Sequence, residues 1–141
     1  MVNHSLHGKT VLIAGGAKNL GRLVARDLSA HGAARIVIHY HNAADAQAAQ
    51  DTLREIEQNG GRGFALQADL TQPGAVAALF TEATARAGAP DIAINTVGKV
   101  LKKPILDTTD DEYEAMFAVN TRVAFQFIRE AGRHLNDNGK L

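Results

Sequence analysis

The chain has 141 residues, enough for one domain over 1–141 with a buried core, and its 45% apolar and 21% charged content is that of a globular protein. Fifteen basic and fifteen acidic side chains cancel and form no basic stripe, which sets aside nucleic acid and an anionic membrane surface as partners. There is no cysteine, so disulfides, thiolate catalysis and cysteine metal sites are excluded.

The N-terminal stretch Met1-Val-Asn-His-Ser-Leu-His-Gly-Lys9 has no apolar segment of the secretory kind, and no run reaches membrane-spanning length. A cytoplasmic location is expected. The first apolar run, Thr10–Ala14, predicts a strand. It passes into Gly15-Gly-Ala-Lys-Asn-Leu-Gly21 and then into a helix from about Leu20 to His31, stopped by Gly32. A strand, a glycine turn and a helix in succession aim backbone N–H groups and the positive end of a helix dipole at one spot, which suits a phosphate. Gly15 is expected to make the tight turn, and Gly21 to let the helix pack close to the sheet.

Arg35–Tyr40 reads as the second strand. Asn42 and Asp45 form a cap pair for an alanine-rich helix that ends at Asn59-Gly-Gly61. Gly63–Gln67 is the third strand, and a third helix follows Thr71, with Pro73 in its first turn, and closes at Gly88. Asp91–Asn95 is the fourth. Short, continuously apolar strands suit a sheet covered on both faces. The alternation therefore predicts an α/β fold: a Rossmann-type doubly wound parallel sheet, truncated after about four strands.

The last helix begins at a capping box, Thr109-Asp-Asp-Glu112, and carries an apolar stripe of Tyr113, Met116, Phe117, Val123, Phe127, Ile128 and Leu135. Asn120 sits on that stripe and is expected to be buried, where its amide must be hydrogen-bonded. Two readings stand: a satisfied structural amide, or one that holds a water or a catalytic side chain at the carboxyl edge of the sheet. His39 and His41 are placed to share a strand face, but a metal needs at least three protein ligands and no third is nearby; no metal site is expected. Lys102-Lys103-Pro104 reads as a solvated turn, with contact to an anionic substrate arm as the alternative.

Four of these segments, in this order, resemble the short-chain dehydrogenase/reductase family along the whole chain. Ala14-Gly-Gly-Ala-Lys-Asn-Leu-Gly21 is similar to its Thr-Gly-x-x-x-Gly-x-Gly loop, which implies that Gly15, Ala17, Lys18, Asn19, Leu20 and Gly21 bind the cofactor. Asn19 stands in place of the middle glycine; Asn is the next best residue at positive φ, so the turn is expected to be kept. Asp69-Leu70 resembles the acidic segment that meets the adenine, and Asp91-Ile-Ala-Ile-Asn-Thr-Val-Gly98 the segment beside the cofactor, with Asn95 and Gly98 matched and Thr96 and Val97 substituted. Phe117-Ala-Val-Asn120 resembles the segment bearing the catalytic asparagine, which turns the reading of Asn120 toward function.

The resemblance implies hydride transfer between a nicotinamide and a ketone or secondary alcohol, with 3-oxoacyl-thioester reductases as the nearest likeness. Where NAD-preferring relatives place an acid after the second strand, this chain has His39-Tyr40-His41-Asn42, and its first carboxylate, Asp45, is expected inside the next helix. With Lys18 as the basic residue of the loop and Tyr40 and His41 at the ribose end, NADP(H) is favoured over NAD(H). The family's serine and Tyr-x-x-x-Lys pair have no match, since Tyr40 and Tyr113 are followed four residues on by Ala44 and Phe117. These residues alone are thus expected to be an inactive, cofactor-binding half of an enzyme; the alternative is a non-catalytic dinucleotide-binding module. The family's last helix also packs in dimers and tetramers, so a homo-oligomer is expected, with Phe125, off the stripe, as a contact. A sheet ending at its fourth strand would leave an open edge and marginal stability.

Overall fold

The four apolar runs become four parallel strands, β1 (Thr10–Ala14), β2 (Arg35–Tyr40), β3 (Arg62–Gln67) and β4 (Ile92–Asn95). They pair in the order β3-β2-β1-β4, with Leu12 of β1 opposite Val37 on one side and Ala93 on the other. The computed structural model describes residues 5–141, and the first four residues of the N-terminal stretch lie outside the described residues.

Alternation along the strands divides the core in two. Val11, Ile13, Ile36 and Ile38 point to one face, where Ala25 of α1 (Asn19–Ala30) and Ile56 of α2 (Ala46–Gln58) cover them. Leu12, Val37, Leu66 and Ala93 point to the other, under Phe80 of α3 (Ala75–Ala87) and Phe127 of α5 (Val123–His134). Every residue of β1 is buried, so the central strand has a strand on each side and helices on both faces. Each such aliphatic or aromatic side chain contributes about 1.5–3 kcal/mol by leaving water. The Phe80 and Phe127 rings, 4.9 Å apart at the centroids and tilted by 59°, lock α3 to α5.

Helix starts differ from the sequence expectation where a carboxylate or a turn takes precedence. Asn42 caps a short 3₁₀ turn over Ala43–Asp45, accepting from the Ala44 N–H, and α2 follows from Ala46. Asp45, at the N-cap of α2, makes no cap bond. Pro73 lies ahead of α3 rather than in its first turn, because Gly74, with φ of 76°, turns the chain into the helix. The expected ends at Gly32 and Gly88 hold, both at positive φ.

The last helix departs most. Its capping box is present: the Glu112 N–H donates to Thr109 Oγ1 at 3.2 Å and the Thr109 N–H to Glu112 Oε2 at 2.9 Å. The helix then runs as α4 (Asp110–Phe117), widens to a π-helical turn over Ala118–Arg122, and continues as α5. A π turn inserts one residue into the helical repeat, so the faces before and after it are out of phase. Downstream, Val123, Phe127 and Ala131 keep the buried side. Upstream, Tyr113 and Phe117 lie outside the core and stack on each other at 4.6 Å; within α5, Ile128 is also exposed, off the buried side. The uniform stripe expected from the sequence is thus two stripes. Asn120, expected buried, is exposed.

The outer side of β4 is partly paired. The Ala93 N–H donates to the Lys140 carbonyl and the Lys140 N–H to the Asp91 carbonyl, each at 2.9 Å, as a parallel bridge. Truncating Phe127 to Ala removes the ring that joins α5 to α3 and to the sheet. The expected loss is about 3–5 kcal/mol, read as a lower denaturation midpoint with an unchanged slope; a loss under ~1 kcal/mol would contradict this packing.

Candidate functional site: a cleft at the carboxyl ends of the strands

The turn after β1 is held in a single shape by its neighbours. Gly15 has φ of 77° and Asn19 φ of 51°, so Asn19 supplies the positive φ expected of it. The Gly15 N–H donates to His39 Nδ1 at 3.1 Å and the Gly16 N–H to the His39 carbonyl at 2.9 Å. A Cβ on Gly21 would lie 2.0 Å from the Gly15 carbonyl oxygen, so the first turn of α1 rests on the glycine turn itself. The sequence reading put that close approach against the sheet.

Lys18 is the N-cap of α1 and no side chain caps the helix. The first-turn N–H groups of Asn19, Leu20 and Gly21 therefore lack a capping side chain, and the positive end of the dipole faces the same way. These residues border a cleft of about 560 Å³ at the carboxyl ends of β1, β2 and β4. Of the residues expected at the cofactor, Gly15, Ala17, Lys18, Asn19, Leu20, Gly21, Tyr40, His41, Asp69, Leu70 and Gly98 line this one cleft. Asn95 and Asn120 stand behind its wall, and they act on its backbone.

Asn95 Oδ1 accepts the Val97 N–H at 3.0 Å, and Thr96 Oγ1 donates to the Ala14 carbonyl at 2.8 Å, so the exits of β4 and β1 are tied together. The substituted Thr96 thus makes a bond of its own in this loop. Asn120 Oδ1 accepts the Lys99 N–H and its Nδ2 donates to the Lys99 carbonyl, both at 2.9 Å. The π turn swings Asn120 away from the core and toward this loop, while Val119 lines the cleft. A Cβ on Gly98 would lie 3.1 Å from the same Asn120 oxygen, which favours glycine there.

The Lys18 charge at the cleft is already paired. Lys18 Nζ sits 2.7 Å from Asp45 Oδ1, and Asp45 keeps only 18% of its side-chain exposure. The sequence reading placed this carboxylate inside the next helix and the ribose end free of acid. The short 3₁₀ turn instead brings Asp45 to the rim, where Lys18 takes its charge. Asp69 Oδ1 accepts from Thr71 Oγ1 at 2.6 Å and from the Thr71 N–H at 3.0 Å, and His41 Nδ1 lies 3.8 Å away. The Thr71 hydroxyl bond, chiefly, holds the Asp69 carboxyl below its ordinary value against a smaller opposing effect of burial. His39 is buried with both ring nitrogens engaged by backbone groups, so it does not converge with His41 on a metal.

Sequence reasoning missed His39, Asp45, Thr71 and Thr96 at this cleft. Thr96 lies within a matched segment and His39 opens the ribose-end segment, but the contacts of His39 and Asp45 depend on residues distant in the chain, Ala68 past β3 and Lys18. Chemically, the arrangement offers an uncapped helix N-terminus, a cation at its first residue and a long groove running from Asp69 to Gly98. That suits an extended anionic ligand. Asn120→Ala removes both bonds to Lys99 and is expected to lower stability by about 1–3 kcal/mol, with faster exchange of the Lys99 amide by NMR; unchanged exchange would show that the clamp does not order the loop.

Comparison with known proteins agrees with the geometry. The family model described as Enoyl-(Acyl carrier protein) reductase matches residues 15–141. Elsinochrome reductase 1 of Elsinoe fawcettii is 38% identical over 96% of this chain, and versicolorin reductase of Emericella nidulans 36% identical over 99%. This chain spans about half the length of these curated relatives, 50% and 52% respectively. A dehydrogenase of Burkholderia cenocepacia, solved with bound NADP, is 55% identical and superposes with a TM-score of 0.96, over 99% of this chain and 53% of that one. With the motifs in order, the parallel sheet and the cleft in place, the chain belongs to the short-chain dehydrogenase/reductase family of oxidoreductases.

Proposed function

We propose that the protein is an NADP(H)-dependent oxidoreductase that moves a hydride between nicotinamide and a ketone or secondary alcohol, residues 1–141 being its cofactor-binding half. The observation that carries this reading is the uncapped N-terminus of α1 beside Lys18 in the strand-end cleft. The residues present fit the dinucleotide. The turn from Gly15 to Gly21 would hold the pyrophosphate, Lys18 and His41 the 2′-phosphate, and Tyr40 the neighbouring ribose. Asp69 and Leu70 would meet the adenine, while Asn95 and Gly98 shape the loop on the nicotinamide side. Asn120 acts through the Lys99 backbone it clamps.

NADP(H), when bound, supplies or accepts the hydride; the protein's part here is to bind, orient and screen. The NADP seen in the Burkholderia cenocepacia dehydrogenase supports the cofactor, and the reductases among the relatives support the reaction class. We also place the activity in the cytoplasm. Asp45 adds a condition. A 2′-phosphate must compete with this carboxylate for Lys18, so preference depends on how far Asp45 yields.

Lys18→Ala is expected to weaken NADP⁺ binding about 10- to 100-fold, the effect of one charged hydrogen bond, and to leave NAD⁺ binding nearly unchanged. Asp45→Asn should strengthen NADP⁺ binding. Titration calorimetry with both dinucleotides decides, and an equal loss for both in Lys18→Ala would sink the cofactor assignment. We also propose a homo-oligomer joined through the outer face of the last helix. Phe117, Phe125 and Ile128 are each about half exposed or more, at 49%, 61% and 57%. Sedimentation velocity should show a dimer or larger species that Phe125→Glu shifts toward monomer; a wild-type monomer at all concentrations would end the idea.

A further inference from the structure

His39 is the one buried imidazole of the cleft wall, 2% exposed, and nothing in the proposed chemistry uses it. Its backbone belongs to β2, yet its ring joins two other segments. Nδ1 accepts the Gly15 N–H at 3.1 Å, and Nε2 lies 2.8 Å from the Ala68 carbonyl, just past the end of β3. A carbonyl only accepts, so Nε2 carries the proton and Nδ1 is bare: the hydrogen bonds select one neutral tautomer. The His39 carbonyl takes the Gly16 N–H at 2.9 Å. One residue thus engages the first two N–H groups of the turn.

We propose that His39 is a positioning residue of the nucleotide site, a neutral imidazole cross-link that holds the glycine turn in its binding shape and releases it on protonation. A proton on Nδ1 would face the Gly15 N–H donor to donor and abolish that bond. Gly15 sits at positive φ with its carbonyl under the first turn of α1, so its displacement is felt at the helix N-terminus. This inference rests on the reading of the cleft as a dinucleotide site, but the cross-link itself is testable without a ligand.

The ionisable groups that act on His39 are His41, just past the end of its own strand, and Asp69 beyond β3. β1 and the turn after it bring only Lys18, which Asp45 already engages. Burial, chiefly, holds the His39 pKa below its ordinary 6.5, helped by His41 and opposed by the Ala68 bond and Asp69. The sign follows for a base whose folded value is depressed. Its contribution is whole above 6.5 and is lost as the pH falls below 6.5 through the lowered folded value.

The test compares wild type with His39→Asn, whose carbonyl oxygen can accept the Gly15 N–H and does not titrate. NADP⁺ affinity is measured for both from about pH 7.5 down to about 5, across the imidazole range. Taking the ratio of the two removes the titration of the 2′-phosphate. Wild type is expected to lose affinity relative to His39→Asn, approaching about tenfold per pH unit for one linked proton; a constant ratio overturns the proposal. In parallel, the Gly15 amide of the ligand-free wild-type protein is followed by NMR over the same range. It should titrate together with the His39 ring, and an amide that stays still while the ring takes up its proton overturns the proposal even if the variant fails to fold. Absence of NADP⁺ binding by wild type at about pH 7.5 would instead remove the dinucleotide reading, leaving the Gly15 titration to decide the role of His39.

Discussion

Complete enclosure of β1 is the constraint on which the rest of this molecule depends. With β2 and β4 on its edges and helices over both faces, the strand has no freedom left, and Ala14 ends it at a defined point. The turn that follows inherits that rigidity. Its N–H groups are held from the β2 side by His39, and the carbonyl of Ala14 is held from the β4 side by Thr96, whose N–H and hydroxyl both donate to it. The helix start then falls where it does because Gly21 has nothing to collide with. The position of the uncapped helix N-terminus is thus a property of the sheet, transmitted through the backbone groups of this turn.

Much of this was legible in the sequence because it depends on local chemistry. Continuous apolar runs such as Thr10–Ala14 and Arg35–Tyr40 mark strands covered on both sides, and Gly15 with Asn19 mark positive φ. What was not legible depends on phase or on distance in the chain. The π turn at Ala118–Arg122 carries no composition signal, so the helix was read with one period throughout and Tyr113, Phe117 and Asn120 were assigned to the core. The short 3₁₀ turn over Ala43–Asp45 likewise has no composition signal, and it brings Asp45, expected inside the next helix, to the rim of the cleft.

The electrostatics of the cleft combine attraction with compensation. Lys18 and Asp45 neutralise each other across the rim, and Asp69 is held as a carboxylate by Thr71. An exposed pair of this kind adds little to stability in water. Its importance is that it keeps the lysine extended toward the cleft while requiring any incoming anion to displace a carboxylate.

The widened turn in the last helix lets one continuous rod present two unrelated surfaces. Past Arg122, Val123, Phe127 and Ala131 anchor the sheet; ahead of Ala118, Tyr113 and Phe117 stand outward as a stacked pair. A helix of uniform pitch would have to choose a single azimuth for both. Slipping the phase by one residue separates the two choices, so the outward surface can be remodelled by substitution without repacking the interior. The amide at the slip, Asn120, records the change of azimuth by gripping the loop that marks the mouth of the cleft.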